Sequence, residues 1–281
     1  MPNDPAPSPT SPAYIVASRQ GLYAVGHHQW RLLVDGCFFG IACTAEGVFA
    51  FRHGSASPEL DPNSGCVVQY DWRGGELVEA GVKVQGLDHN AHQLDFFDGA
   101  FFLVDTFDQS ILEYDPDWNL ISAHRLLPPA ARGGPDHAHI NSIAGTADTI
   151  WVLLHNGHRD RPSEIVEFDR GFTERGRTSL PCSGCHDIVL LPDGRLLTCL
   201  SPRGEILVGA DEIHAVDDLW TRGLVFGPDE VAVGSSFYGH RLARALLPGF
   251  VTFLDHSYRR IGRIHIPAAP TQIRRLPFHP F

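Results

Sequence analysis

Lysine and methionine are almost missing from this chain of 281 residues: each occurs once. Basic side chains, nearly all arginine, number 22 against 33 carboxylates, for a net charge of −11. A nucleic-acid groove needs a basic surplus to displace counterions from phosphate, so that class is excluded. No run of 18 or more apolar residues occurs, and a membrane-spanning helix is excluded with it. A G-x-S-x-G turn is also missing, which removes the support for a serine nucleophile. The opening MPNDPAPSPTSPA has five Pro in thirteen residues but neither a positive start nor an apolar stretch, so it does not read as a secretory signal. Residues 1–13 are expected to be a disordered Pro-rich tail and 14–281 a single cytoplasmic domain, with the six cysteines as reduced thiols.

What is present is a 43% hydrophobic content with 28 Gly, enough for a sizeable core, and 16 His, nearly half the number of carboxylates. Histidine is a metal ligand and a neutral-pH acid or base, and also an ordinary polar loop residue. What decides between these is whether the sixteen are scattered or arranged. Five segments share one register: FGIACTAEGVFAFRH (39–53), HQLDFFDGAFFLVDT (92–106), NSIAGTADTIWVLLH (141–155), HDIVLLPDGRLLTCL (186–200) and RGLVFGPDEVAVGSS (222–236). Each reads as an apolar strand, a Gly or Asp turn and a second strand. Third strands follow as CVVQYD, ILEYD, IVEFD, EILVGAD and VTFLD, and a more polar fourth strand fits after each.

Four short antiparallel strands recurring every 36 to 53 residues are the pattern of β-propeller blades. A single large sandwich gives no reason for five strands to keep one register against their turns. Residues 14–36 supply three further strands without an inner partner, and PTQIRRL (270–276) supplies one lone strand. The predicted fold is therefore all-β, a six-bladed β-propeller whose sixth blade is shared by N- and C-terminal strands, closing the open sheet edges. Blades such as HDIVLLPDGRLL and RGLVFGPDEVAV resemble those of the NHL, gluconolactonase (senescence-marker-protein-like) and strictosidine-synthase-like group. That resemblance implies the fold. The gluconolactonase metal set of one Glu, two Asn and one Asp is not recovered at corresponding places, so lactone hydrolysis is not carried over.

Taking Ile41, Leu94, Ile143, Ile188, Leu224 and Ile273 as the register mark, the residues two before it are Phe39, His92, Asn141, His186, Arg222 and Thr271. They are expected at one mouth of the central channel. His139 lies two residues before Asn141 and, by period-2 alternation, on its side of the strand. His92, His139 and His186 are thus the candidate metal ligands, a facial three-His site for a divalent transition metal, zinc or iron. Polar lining of a wet channel is the alternative for the same three. The constellation is similar to the three-His zinc site of the peptidylglycine amidating lyase propeller. His53 and His155 end second strands at the same face and are the candidate proton carriers. Arg222 is either an anion clamp or an inter-blade partner of Asp187. The insert 237–250 reads as a lid with a short helical pattern or as a plain surface excursion.

Cys182-Ser183-Gly184-Cys185-His186 matches the c-type haem motif, but His186 is already explained by the repeat and attachment takes place outside the cytoplasm, so covalent haem c is disfavoured. The expectation is a transition-metal-dependent lyase or hydrolase acting on a small polar or anionic molecule. The alternatives are a non-haem iron oxygenase in the same site and a non-catalytic ligand- or protein-binding propeller; the unrepeated positions of Trp30, Trp72, Trp118, Trp151 and Trp220 argue against repeated sugar sites.

Overall fold

The computed structural model describes residues 13–54, 61–128, 134, 137–157, 161–239 and 247–276. They build six four-stranded antiparallel sheets. The first strand of each blade is innermost: Phe38–Thr44, Leu94–Phe97, Ile140–Gly145, His186–Leu190, Trp220–Phe226 and Pro270–Arg275, which touch one another in a closed ring. The sixth blade is assembled from both ends as expected, Pro270–Arg275 pairing with Tyr14–Ser18. Its joint includes Ala13, which is buried and whose carbonyl accepts the Leu276 N–H at 2.9 Å; Ala13 belongs to the domain rather than to a tail. The remainder of the expected tail, residues 1–12, lies outside the described residues, as do residues 240–246 of the insert.

Burial follows the radial order of the strands. Inner and middle strands lie between neighbouring blades and are apolar on both faces, as in Ala100–Asp105, whereas outermost strands such as Glu174–Ser179 are largely exposed and carry charge. Each inter-blade layer is its own core. Between the first two blades, Phe49, Phe101 and Trp118 meet, the Phe101 and Trp118 rings stacking at 4.2 Å.

One irregularity recurs in every blade. At the start of each inner strand the ladder slips: Phe39–Gly40 share one partner residue, Asn141, Asp187 and Thr271 are each skipped, and Arg222–Gly223 share one partner. In the second blade the N–H of His92 and the carbonyl of Gln93 both bond to Val104, at 3.0 and 2.9 Å. These are β-bulges, which re-aim side chains and sharpen twist. Two consecutive residues per blade are thereby turned toward the channel, which a straight strand forbids.

In three blades the second residue of the pair ties one blade to another through its side chain. Gln272 accepts the Ile41 N–H at 2.6 Å and donates to the Leu94 carbonyl at 3.2 Å. Gln93 accepts from Ser142 Oγ at 2.5 Å and from the Ile143 N–H at 3.0 Å, and donates to the Ile143 carbonyl. Asp187 accepts the Gly223 N–H at 2.7 Å. Gly40 sits in this girdle because a Cβ there would collide with the Leu94 backbone nitrogen and lie 2.8 Å from the His92 carbonyl oxygen. Replacing Gln272 by Leu strands a buried N–H and a buried C=O, each costing ~1–3 kcal/mol. Urea unfolding of Gln272→Leu is expected to report a loss in that range or above, against no more than ~0.5 kcal/mol for Gln69→Ala, whose bond to the Glu46 carbonyl is exposed.

Candidate active site at the channel mouth

Five of the six register residues, Phe39, His92, His186, Arg222 and Thr271, line one cavity of 240 Å³ at the channel mouth. His139 and His155 line it too. Asn141, the sixth, instead lines the narrow channel below, with Gln93, Asp187 and Gln272. The four imidazoles form an arc, ring centres 4.8 Å apart from His92 to His139, 5.0 Å from His139 to His155 and 4.8 Å from His155 to His186. His139 enters it through a left-handed backbone, φ 56°, just before its strand.

Hydrogen bonds assign the tautomers. His92 Nδ1 lies 2.6 Å from the Asn90 carbonyl and 2.9 Å from Thr106 Oγ1, whose own hydroxyl donates to the Ile140 carbonyl. Both neighbours accept, so Nδ1 carries the proton and Nε2 the lone pair. His186 repeats the arrangement, its Nδ1 bonding to the Gly184 carbonyl at 3.1 Å and to Ser201 Oγ at 3.0 Å. Thr106 and Ser201 both sit where a second strand ends. His155 is opposite in sense: its Nδ1 accepts the Gly157 N–H at 3.0 Å, so in the neutral ring the proton is on Nε2. Nε2 lone pairs and an Nε2–H donor thus stand side by side.

Burial, then the neighbouring imidazoles, holds the His139 pKa well below the ordinary value, and burial followed by Arg222 does the same to His186. Both are neutral at pH 7. Cations dominate the rest of the wall. The guanidinium carbons of Arg19 and Arg222 lie 5.2 and 5.7 Å from the Phe39 ring centre, and no Asp or Glu is among the described residues lining the cavity. Below it, burial raises the pKa of the Asp187 carboxyl despite its bond from Gly223 and the nearby charges of Arg222 and Arg274. Trp220, which also lines the cavity, stacks at 4.7 Å on Tyr238 at the start of the insert.

One sequence expectation needs correction. His53 does not line the cavity; it stacks face to face on Phe39 at 4.7 Å. The candidate ligands His92, His139 and His186 all line the cavity, although among the described residues no group of three or more His, Cys, Asp or Glu is already arranged to hold a metal ion. His92 and His186 do have the chemistry of ligands, with Nε2 lone pairs and anchored Nδ1–H groups. Sequence reasoning missed Arg19 and Tyr238, because one lies in a turn of the terminal blade and the other in an insert without a repeat equivalent. Several other histidines are structural: His27, His124 and His214 bond to Glu230, Glu113 and Glu212 at 2.7, 2.7 and 2.8 Å.

The Cys182 and Cys185 sulfurs are 3.6 Å apart, both as free thiols. Their hydrogen bond holds the Cys182 pKa below the ordinary thiol range and pushes that of buried Cys185 far above it.

No family model and no curated protein matches the chain. Solved structures with the same fold include a chain of the nidogen/laminin complex (TM-score 0.67, 9% identity, covering 94% of this chain and 98% of that one). A protein named as a candidate 6-phosphogluconolactonase from Bacteroides fragilis is similar at TM-score 0.57 and 12% identity, covering 97% and 100%. Virginiamycin B lyase from Staphylococcus aureus, in a catalytically inactive histidine-to-alanine variant with quinupristin, is similar at TM-score 0.52 and 16% identity, covering 83% and 71%. The β-propeller fold is thus shared with proteins of hydrolase and lyase type and with a chain from a protein–protein complex.

The depressed histidines link stability to pH. Above about pH 6.5 neither folded nor unfolded chain protonates His139; below it the unfolded chain takes up a proton that the folded one refuses, so stability falls as pH falls. Asp105, pushed up to about 6 by burial, acts in the opposite sense in the acid part of that window. The histidine contribution is therefore read as a difference: the stability lost between about pH 7.5 and 5.5, measured by urea unfolding, is expected to be smaller in His139→Gln than in the wild type.

Proposed function

We propose that the chain is an enzyme of lyase or hydrolase type that acts on a small anionic molecule in the cavity at the channel mouth. One observation carries this: in a chain of net charge −11, the cavity wall holds two guanidiniums and four imidazoles and, among the described residues, no carboxylate. Such a wall attracts an anion against the field of the whole molecule. Arg222 and Arg19 are the anion-binding groups, matching oxyanion geometry with fixed donors. Trp220 and Phe39 supply flat apolar walls for the remainder of the substrate.

The working pair is His186 and His155. His186 offers a lone pair on Nε2 and His155 an Nε2–H hydrogen-bond donor, on rings 4.8 Å apart. In an elimination His186 takes a proton from carbon and returns it, as imidazolium, to the leaving group, while the His155 N–H donates a hydrogen bond to the negative charge that develops; in a hydrolysis His186 takes the proton from water instead. Arg222 is one of the charges that hold His186 neutral. An anion seated on Arg222 cancels that influence, so substrate binding raises the basicity of His186 when a base is needed. Among the neighbours, virginiamycin B lyase is itself inactive when a histidine is replaced by alanine.

A second reading, favoured by the anchored Nδ1–H groups of His92 and His186, has these two and His139 hold a divalent transition metal. Zinc would supply Lewis acidity and an acidified water, and iron(II) would supply dioxygen chemistry. Elemental analysis of chelator-free protein separates the two. About one zinc or iron per chain, lost in His92→Ala with His186→Ala, supports the metal reading; less than about 0.1 per chain leaves the imidazoles as the acid and base.

Titration calorimetry with inorganic phosphate and with mono- and dicarboxylates tests the anion site. At least one of these probes is expected to bind, and Arg222→Gln is expected to weaken it tenfold to a hundredfold, about 1.4–2.8 kcal/mol. No binding by any probe at millimolar concentration, or affinity unchanged from the wild type in both Arg222→Gln and Arg19→Gln, would refute it.

A further inference from the structure

Cys182 and Cys185 take no part in the chemistry above, yet the loop they bracket is hydrogen-bonded to two residues that line the cavity, His155 and His186. We propose that they are a thiol–disulfide exchange site, reacting with small-molecule disulfides, whose oxidation state is transmitted to His155 and His186. Their sulfurs are 3.6 Å apart across a strap that Gly184 folds at φ 78°, while a disulfide requires about 2.05 Å. The two thiols differ in access. Cys182 is half-buried, and Cys185 is fully buried against Leu180, Ile188 and Leu200. One is therefore open to an incoming disulfide and the other is held in reserve beside it.

The chemistry balances with a small disulfide as oxidant. Cys182 attacks one of its sulfurs and releases one small thiol, leaving a mixed disulfide. Cys185 then attacks Cys182 Sγ and expels the second small thiol. Two protein S–H bonds are lost and one S–S bond forms; two electrons and two protons leave with the two small thiols.

The strap is hydrogen-bonded to both imidazole-bearing residues. The Gly184 carbonyl accepts from His186 Nδ1, and the Gly184 N–H donates to the His155 carbonyl at 2.9 Å. The Cys185 N–H donates to Ser163 Oγ at 3.1 Å, and that hydroxyl donates to the same His155 carbonyl at 2.6 Å. A Cβ on Gly184 would lie 3.2 Å from the Trp220 ring and 3.7 Å from His155 Nε2, so the strap has little slack on the cavity side. Drawing the sulfurs together by ~1.5 Å moves the groups that orient His186 and hold His155.

The full-length chain is incubated with oxidised glutathione, unfolded, alkylated and mapped by mass spectrometry, and its imidazole NMR signals are recorded before and after. Four of the six thiols, six less the bonded pair, are expected to alkylate, with a bond between Cys182 and Cys185. His155 and His186 signals are expected to move while those of His124 and His256 stay, and dithiothreitol is expected to restore the starting spectrum. Cys185→Ser is expected to stop at a glutathione adduct on Cys182, and Cys182→Ser to give neither adduct nor bond. Six alkylatable thiols, a persistent adduct on the wild type, or a Cys182–Cys185 bond with unmoved His155 and His186 signals would each overturn the proposal.

Discussion

The hydrogen-bonded girdle at the head of the inner strands is the constraint on which the rest of this molecule depends. Six bulges turn an extra residue toward the channel, and Gln272, Gln93 and Asp187 use that position to bond the backbone of the next blade. Propeller blades otherwise meet through apolar faces, which resist separation but fix position poorly along the strand. Directional bonds to buried backbone groups supply the missing registration, because a slip would leave donors unpaired. Thr271, His92 and His186, the residues ahead of these three, are thereby held in the cavity wall.

The ring of six blades was legible because it rests on repetition: the same apolar strand against the same turn five times, with three strands and one strand left over at the ends. Four of the imidazole and guanidinium positions were legible for the same reason. The bulges were not, since they are defined by pairing with a partner strand and leave no mark in a pattern of apolar residues. Their effect is visible at Asn141 and His139, which strict alternation assigns to one side of one strand. The bulge sends Asn141 into the lower channel and a left-handed residue swings His139 up into the cavity. His53 departs for another reason. Its partner in the first blade is Phe39, and an aromatic ring at that register position offers a stacking face instead of a polar neighbour.

The histidine excess divides into kinds with distinct surroundings. His27, His124 and His214 each face a carboxylate, the first two as polar links between distant segments and the third within one strand. Those in the arc face one another and two guanidiniums, and there burial first, then neighbouring positive charge, keeps His139 and His186 neutral. Tautomers differ within the arc: Nδ1 of His92 and His186 meets a carbonyl, that of His155 a backbone N–H. One residue type thereby provides both hydrogen-bond acceptors and a hydrogen-bond donor.

The terminal blade gives the cavity a history. Arg19 comes from one end of the described chain and Thr271 from the other, and the bond from Gln272 to Ile41 spans 231 residues. Contacts of such sequence separation form late and slowly during folding. A nascent or partly unfolded chain can hold several well-packed blades and still lack one wall of the pocket. Competence to bind is therefore acquired in the same event as ring closure, and a chain that has not closed presents no half-working site to the cell.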